Sequence, residues 1–370
     1  MTDVLTPREL NRATLERQFL LRRTDIPVSD VLTRVVGMQA QAPNPPYYGL
    51  WARLSSFHPD DLIKLVTGRE VVRLSLMRGT IHLVNADDAL PLRAVLQKTH
   101  ERRFLTAHAK RIEGLEVQAV LAAAVEILEA EPLTFSVLGK RLADRFPGFD
   151  EQTLSSLARM LAPLVQVPPR GLWGYSGQAT HTTARAWLGR DAPTATETAA
   201  EDAAEDMVLR YLAGFGPASV ADAQVWSGLT RLKEVFERLR PRLRTFRDVN
   251  GVELFDLPDS PRPGGDLDAP ARIVAEFENL LLSYADRSRI ISEDHRKRIF
   301  TPNALIPGTF LINGVVAGTW KLTATKKTAL LELTRFGKVS KRDLAALEAE
   351  GARLLAFAAP QAATTEIRLG

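Results

Sequence analysis

Three times along this chain a set of helix signals runs into a short β-hairpin, and that recurrence limits the fold more than any single motif. In the first instance Thr6 serves as an N-cap, Pro7 suits the first helical position and Glu9 puts an acid in the first turn, predicting a helix over 7–22. Ser29 or Asp30 caps a second helix with Val31, Leu32, Val35 and Val36 at helical spacing, and Pro59-Asp60-Asp61 opens a third near 59–67. VVRLSLMRGTIHLVN, 71–85, then reads as two strands around Arg78-Gly79. Helices followed by a hairpin form the winged-helix pattern. Residues 133–176 repeat it, with a turn at Pro147-Gly148, a helix near 150–162 and two strands around Pro168–Gly171. Residues 204–258 repeat it again, with Ser219 and Thr230 as caps and Asn250-Gly251 as a hairpin turn. A period of about 65–80 residues is too long and irregular for a solenoid.

Two stretches break the chain between units. Residues 190–205 are acidic and rich in Ala and Thr, and PDSPRPGGDLDAP, 258–270, is too rich in Pro, Gly and Asp for regular structure. Beyond the second, TFLINGVVAGTWKL, 309–322, gives two strands around Asn313-Gly314, ALLELTRF, 329–336, gives another, and Ser340 caps a last helix to about 358. The expected class is α+β, mainly helical: three tandem winged-helix modules and a small C-terminal β-rich subdomain. The boundaries fall at 1–130, 131–190, 200–260 and 270–370, with the connecting helices of the first unit inside 1–130.

Composition removes several kinds of chemistry. With no cysteine there is no disulfide, thiolate metal site or cysteine nucleophile, and the six histidines show no tight ligand spacing, so no metal is expected. No apolar run reaches the ~18–20 residues of a membrane span, and MTDVLTPREL is not a secretory signal, so a cytoplasmic protein is expected. Charge is segregated rather than extreme. Residues 231–247 carry seven Lys/Arg against Glu234 and Glu237, and 98–111 carry Lys98, Arg102, Arg103, Lys110 and Arg111 against Glu101. His295, Arg296, Lys297 and Arg298 form a third basic cluster, while 191–206 hold six acids and no Lys or Arg. Such segregation marks either a polyanion-binding face or a set of solvated helix faces.

The most informative stretch is VVGMQAQAPNPPYYGLWARL, 35–54. Gln39 and Gln41 lie ~200° apart on a helix but on one face of an extended segment. Pro43, Pro45 and Pro46 favour the extended state for the residues before them. The expectation is a helix ending near Met38 and an extended loop presenting both amides, with Tyr47, Tyr48 and Trp51 beside them. The plain alternative is a polar helix end and a tight connection. Gly214-Phe215-Gly216 is only a fragment of a dinucleotide fingerprint, and neither a P-loop nor GxSxG occurs.

Over nearly its whole length the chain resembles the AlkZ-type bacterial DNA glycosylases of the winged-helix DNA glycosylase superfamily. The segments that carry the likeness are GMQAQAPNPPYYGLWARL, VVRLSLMRGTIHLV, LVQVPPRGLWGYSG, ENLLLSYADRSRII, EDHRKRIFTPN and NGVVAGTWKL. Gln39-Ala40-Gln41 matches that family's Gln-x-Gln signature, and Gln41 sets the chain apart from a sister branch with aspartate there. The resemblance implies three winged helices and a β-rich part around a concave DNA-binding surface, with Gln39 and Gln41 catalytic. It also implies a monomer without cofactor, acting in the cytoplasm at the nucleoid on double-stranded DNA that contains an alkylated purine. The reaction expected is monofunctional hydrolysis of the N-glycosidic bond of N7-alkylated purines, bulky natural-product adducts or crosslinks, as self-resistance. An amide does not titrate, so it cannot be a strong base. Two amides can hold a water and aim dipoles at a sugar cation when the leaving group is already good.

Other residues each carry two readings. Arg78 and His82 either contact phosphate or pair on a surface sheet, and His295 through Arg298 either neutralise phosphates or end a charged helix. The Asn313-Gly314 turn either enters a groove or edges the small sheet. The rival functions are a winged-helix transcription regulator without chemistry and an idle lesion-binding protein. Fold alone does not choose between them.

Overall fold

A computed structural model describes residues 3–190, 197–300 and 305–370. The first unit runs β1 (Val4–Leu5), α1 (Pro7–Arg17), α2 (Val28–Arg34), β2 (Met38–Gln39), α3 (Pro45–Arg53), α4 (Pro59–Thr67), β3 (Val71–Ser75) and β4 (Ile81–Asn85). The Thr6 and Glu9 side chains form the capping box of α1. That helix stops at Arg17 rather than 22, because Phe19 turns to φ 58° and Leu20 and Leu21 enter the core instead of continuing the helix face. α2 begins at Val28 after Pro27, so Ser29 and Asp30 sit inside its first turn and do not cap it. It ends at Arg34 because Val36 and Gly37, at φ 52° and 84°, reverse the chain into β2.

The prolines act differently from expectation. Asn44 is in the right-handed helical region, and Pro45 and Pro46 occupy the first turn of α3. Proline is tolerated there because first-turn N–H groups have no helical partner to lose. Tyr47 and Trp51 are buried, and with the half-buried Tyr48 they pack among Phe57, Trp173, Trp320 and Phe357. They belong to the core and make no aromatic platform beside the glutamines.

α5 (Ala86–His108) and α6 (Val117–Ala130) lead into the second unit, α7 (Phe135–Arg145), α8 (Glu151–Leu161), β5 (Leu164–Val167) and β6 (Thr180–Thr183). β6 lies farther along than the expected strand in 172–176. α6, α7 and α8 share a separate core with Phe104, Leu115, Leu138 and Leu157. The hairpins of the two units nevertheless join in one five-stranded sheet, order β2-β4-β3-β5-β6. Arg73 faces Gln166 and Leu74 faces Val165 across the junction.

After α9 (Ala184–Leu188) comes the third unit, α10 (Glu197–Phe215), α11 (Val220–Ser227), α12 (Leu232–Leu239), β7 (Arg244–Asp248) and β8 (Glu253–Asp256). Much of the supposed acidic linker is helical from Glu197, since Ala and Glu are strong helix formers; 191–196 lie outside the described residues. Ser219 caps α11 as expected, whereas α12 starts one residue late, with Arg231 rather than Thr230 at the cap. β1 pairs in parallel with β7, so the N-terminus completes the third hairpin's sheet.

The C-terminal part holds β9 (Arg272–Val274), α13 (Asn279–Leu282), α14 (Glu293–Ile299), β10 (Thr309–Ile312), β11 (Val315–Ala324), β12 (Thr328–Arg335), α15 (Lys341–Ala358) and β13 (Thr364–Leu369). The expected hairpin, third strand and Ser340 cap are all present. β9 and the parallel β13 extend the sheet to five strands. One core runs from Leu15 through Leu50, Tyr211 and Phe310 to Leu355, binding the first unit, the third unit and the C-terminal sheet. Among the described residues no helix is long and apolar enough to cross a membrane.

Buried arginines stitch these parts together. Arg17 on α1 makes a two-pronged pair with Asp256 at the end of β8, both bonds 2.7 Å. Arg53 on α3 pairs with Glu278 at the cap of α13, at 2.6 and 3.2 Å. Surface charge is partly spent internally too. In the 231–247 cluster Arg238 pairs with Glu205, Arg240 with Glu237 and Glu253, and Arg244 with Asp3.

Candidate active site

The Gln-x-Gln segment hangs on the edge of the first hairpin. Gln39 pairs with His82, and the Ala40 N–H donates to the Ile81 carbonyl at 2.7 Å. The helix expected to reach Met38 is a strand there instead. Two residues that sequence reasoning passed over hold this backbone. Asn279 Nδ2 donates to the Gly37 carbonyl at 2.9 Å, and Arg73 Nη2 donates to the Ala40 carbonyl, between the glutamines, at 2.7 Å. Arg73 also donates to Gln166 Oε1 at 3.2 Å and has no carboxylate partner among the described residues. Burial lowers its pKa to about 10, so it is a cation at neutral pH. Arg73 sits in a strand whose every position is buried, which the sequence alone did not disclose. The only signal for Asn279 was its place in the ENLLLSYADRSRII segment.

Both amide carbonyls accept from the same hairpin. Arg78 Nη2 donates to Gln39 Oε1 at 3.0 Å, and the Ile81 N–H donates to Gln41 Oε1 at 3.2 Å. Gln39 is 8% exposed, whereas Gln41 is exposed. A carbonyl has two lone pairs, so each keeps one for a further donor. Neither amide NH₂ has a protein acceptor among the described residues. The pair can therefore accept from a water or substrate and donate to it without breaking existing bonds.

The structure relocates most of the other expected site residues. Arg78 sits at φ 58° in the hairpin turn, with its second Nη donating to the Trp226 carbonyl of α11. Its own carbonyl accepts from Arg103 at 2.6 Å. The hairpin tip is thus held between α5 and the third unit, and the Arg78 guanidinium is turned onto Gln39 and the Trp226 carbonyl. Burial lowers its pKa to about 10, with a smaller effect from Arg287. His82 is 1% exposed and donates Nδ1–H to the Thr80 carbonyl at 3.0 Å. Burial first, and the Arg78 charge second, push its pKa to about 3, so it is neutral and enclosed, and makes no surface pair.

The Asn313-Gly314 turn is docked on α1. Asn313 Oδ1 accepts from Arg12 Nη2 at 2.5 Å and from the Ala269 N–H at 3.1 Å, and the Gly314 carbonyl accepts from Asn11 at 2.8 Å. A Cβ at Gly314 would collide with the Asn11 Oδ1, which explains glycine at φ 81° there. This contact docks the turn on α1, with Asn313 still exposed. On α14, His295 donates Nδ1–H to the Val316 carbonyl at 3.0 Å and Arg296 pairs with Glu293. Arg298 lies over the Phe336 ring, and Lys297 and Arg298 are exposed. Residues 301–303, the end of the EDHRKRIFTPN segment, lie outside the described residues, as does Ala304.

Three enclosed histidines give a pH prediction. His82, His100 and His181 titrate near 3, 4 and 4, each lowered chiefly by burial. Their folded pKa values lie below the unfolded value of about 6.5, so the unfolded chain takes up protons first. Stability is therefore complete above pH ~6.5 and falls towards pH ~4, by up to about 1.4 kcal/mol per pH unit per site. The urea midpoint is expected to drop between pH ~7.5 and ~5, and His100→Gln is expected to flatten that dependence by about one proton. Equal pH slopes for wild type and His100→Gln would show that His100 is not responsible.

Comparison with known proteins adds an independent line. A family model described as DNA glycosylase AlkZ-like matches residues 32–357. An interstrand DNA cross-link repair glycosylase of Streptomyces sahachiroi is 25% identical over 362 residues, covering 92% of this chain and 93% of that protein. The structure of the Streptomyces sahachiroi DNA glycosylase AlkZ superposes with a TM-score of 0.81 at 22% identity, covering 99% of this chain and 100% of that one. The structural likeness speaks to the fold; the family match speaks to more.

Proposed function

Because the chain belongs to the DNA glycosylase AlkZ-like family, and is by that membership a hydrolase, we propose that it releases N7-alkylated purines from double-stranded DNA as a monofunctional glycosylase. The observation that carries this reading is the pair of glutamines anchored through their carbonyls on one hairpin, each with a lone pair and an NH₂ to spare. The leaving group does much of the work. A guanine alkylated at N7 is cationic, and it departs neutral when the glycosidic bond breaks with its electron pair going to the base nitrogen. A cationic sugar develops. A water held by the glutamine carbonyls forms the new bond to C1′ and sheds its proton to solvent, leaving an abasic site. Positioning and dipoles suffice for this, and no strong base is required.

The Streptomyces relative is a cross-link repair glycosylase by its description, which supports bulky guanine adducts or interstrand crosslinks as substrates here, in self-resistance to a DNA-alkylating natural product. In this reading the three helix–hairpin units act as winged helices around a concave surface for DNA, and the protein works as a monomer at the nucleoid. The exposed Lys297 and Arg298 remain candidates for phosphate contact. The family match favours the enzyme over a transcription regulator. The test is a single-turnover reaction on duplexes carrying N7-methylguanine, with hot alkali to reveal abasic sites. Release at one position regardless of flanking sequence is expected. No release from this lesion or from bulky guanine adducts, together with tight binding to one undamaged sequence, would establish the regulator instead.

A further inference from the structure

Gln41 also lines a cleft of 430 Å³, within the ~300–1,000 Å³ range of small-ligand sites. The cleft spans two units, since Gln41 comes from the first and the rest of the polar wall from the second. Among the described residues no Asp or Glu lines it. Arg159 and Arg170 both do. Arg159 makes no ion pair among the described residues, and its Nε is buried without a hydrogen-bond partner. Arg170 is braced on the Ser176 and Gly177 carbonyls at 3.1 and 2.5 Å, which leaves its charge uncompensated by any acid among the described residues.

The same cleft receives the N-terminus of α7, a helix of 11 residues. Thr134 caps the Val137 N–H, which leaves the N–H groups of Phe135 and Ser136 with no helical partner and the positive end of the helix facing the cleft. A second, independent sign of a ligand is His181. It lines the cleft at 4% exposure, stacked on Phe135 at 3.9 Å, and both of its ring nitrogens are buried without a hydrogen-bond partner. Unpaired guanidinium and imidazole groups, a helix N-terminus and no carboxylate form a site for an anion.

We propose that this cleft holds a phosphodiester of the damaged strand, beside the nucleotide that Gln41 addresses; the placement beside the lesion rests on the glycosylase reading above. The phosphate would fix the strand's register relative to the two glutamines, which is how backbone contacts position without reading sequence.

The test is a fluorescence-anisotropy titration of the full chain with a labelled undamaged duplex over about 50–200 mM salt. Arg159→Gln removes one cation. Ser136→Asp puts an acid in the first turn of α7, where it should hold or raise the melting temperature yet repel a phosphate. Affinity is expected to fall about tenfold or more in each variant. The slope of log K against log salt is expected to become shallower by about 0.9 in Arg159→Gln. If both variants bind with wild-type affinity and slope, the phosphate site is wrong, whether or not inorganic phosphate binds the protein. Because undamaged DNA is used, failure of the glycosylase reading registers separately: a wild type that releases no base while both variants lose affinity keeps the phosphate site and removes the chemistry.

Discussion

Gln39→Ala and Gln41→Ala are each expected to slow single-turnover release of N7-methylguanine by about 10²-fold or more, the scale of losing one preorganised polar group at a reacting centre. The two substitutions should differ in stability. Gln39 is enclosed and accepts from Arg78, so its loss strands a buried guanidinium N–H, at a cost of about 1–3 kcal/mol. Gln41 is exposed and gives up only the Ile81 bond, so its variant should melt near wild type while losing activity. Gln39→Glu separates the two halves of the amide. It keeps an acceptor for Arg78 but loses the NH₂ donor. Retained activity would assign the work to the carbonyl, whereas a loss as large as that of Gln39→Ala would assign it to the NH₂ or to neutrality. If both alanine variants release base at the wild-type rate, the glutamines have no part in the mechanism.

Asp256→Ala is expected to be the most damaging single change to the fold. Asp256 accepts both prongs of Arg17 and a further bond from Arg262 at 2.6 Å, and the Arg17 and Asp256 side chains are both 0% exposed. Removing the carboxylate leaves a buried cation without its partner, for which the usual cost is about 3–5 kcal/mol. The loss would be read as a lower urea midpoint. Replacing both partners at once, as Arg17→Met with Asp256→Leu, should recover part of it, since the fully buried cation goes with its partner while the more exposed Arg262 still loses its carboxylate. If Asp256→Ala unfolds at the wild-type midpoint, the pair does not tie α1 to the third unit as described.

Local signals proved sound at several caps and turns, though not at Ser29, Asp30 or Thr230, where the helix starts elsewhere. Thr6, Ser219 and Ser340 cap helices because their hydroxyls satisfy a first-turn N–H. The Asn250-Gly251 turn uses left-handed backbone at Gly251, and the Asn313-Gly314 turn uses it at both residues. Expectations erred where packing outbid local preference. Prolines read as loop-makers open α3, and Leu20 and Leu21 leave a helix to reach the core. Tyr47 and Trp51 were expected beside the glutamines and are core instead.

The site divides the same way. Gln39 and Gln41 were legible as a motif, because their spacing and their likeness to a known signature are properties of the chain itself. What touches them was not legible, because Arg73, Arg78 and Asn279 reach them from β3, the hairpin turn and α13. An arginine destined for a surface and one destined to hold a buried carbonyl look alike in one dimension. Local residues and spacing disclosed most of the helices and hairpins, the two amides and the absence of cysteine chemistry, but not α3 or the start of α10. Long-range packing settled that the first two hairpins merge into one sheet, that Arg78 and His82 turn inward, and that cations without acidic partners among the described residues gather beside Gln41. Those outcomes depend on which distant groups the folded chain brings within a hydrogen bond of one another, and no local preference encodes that.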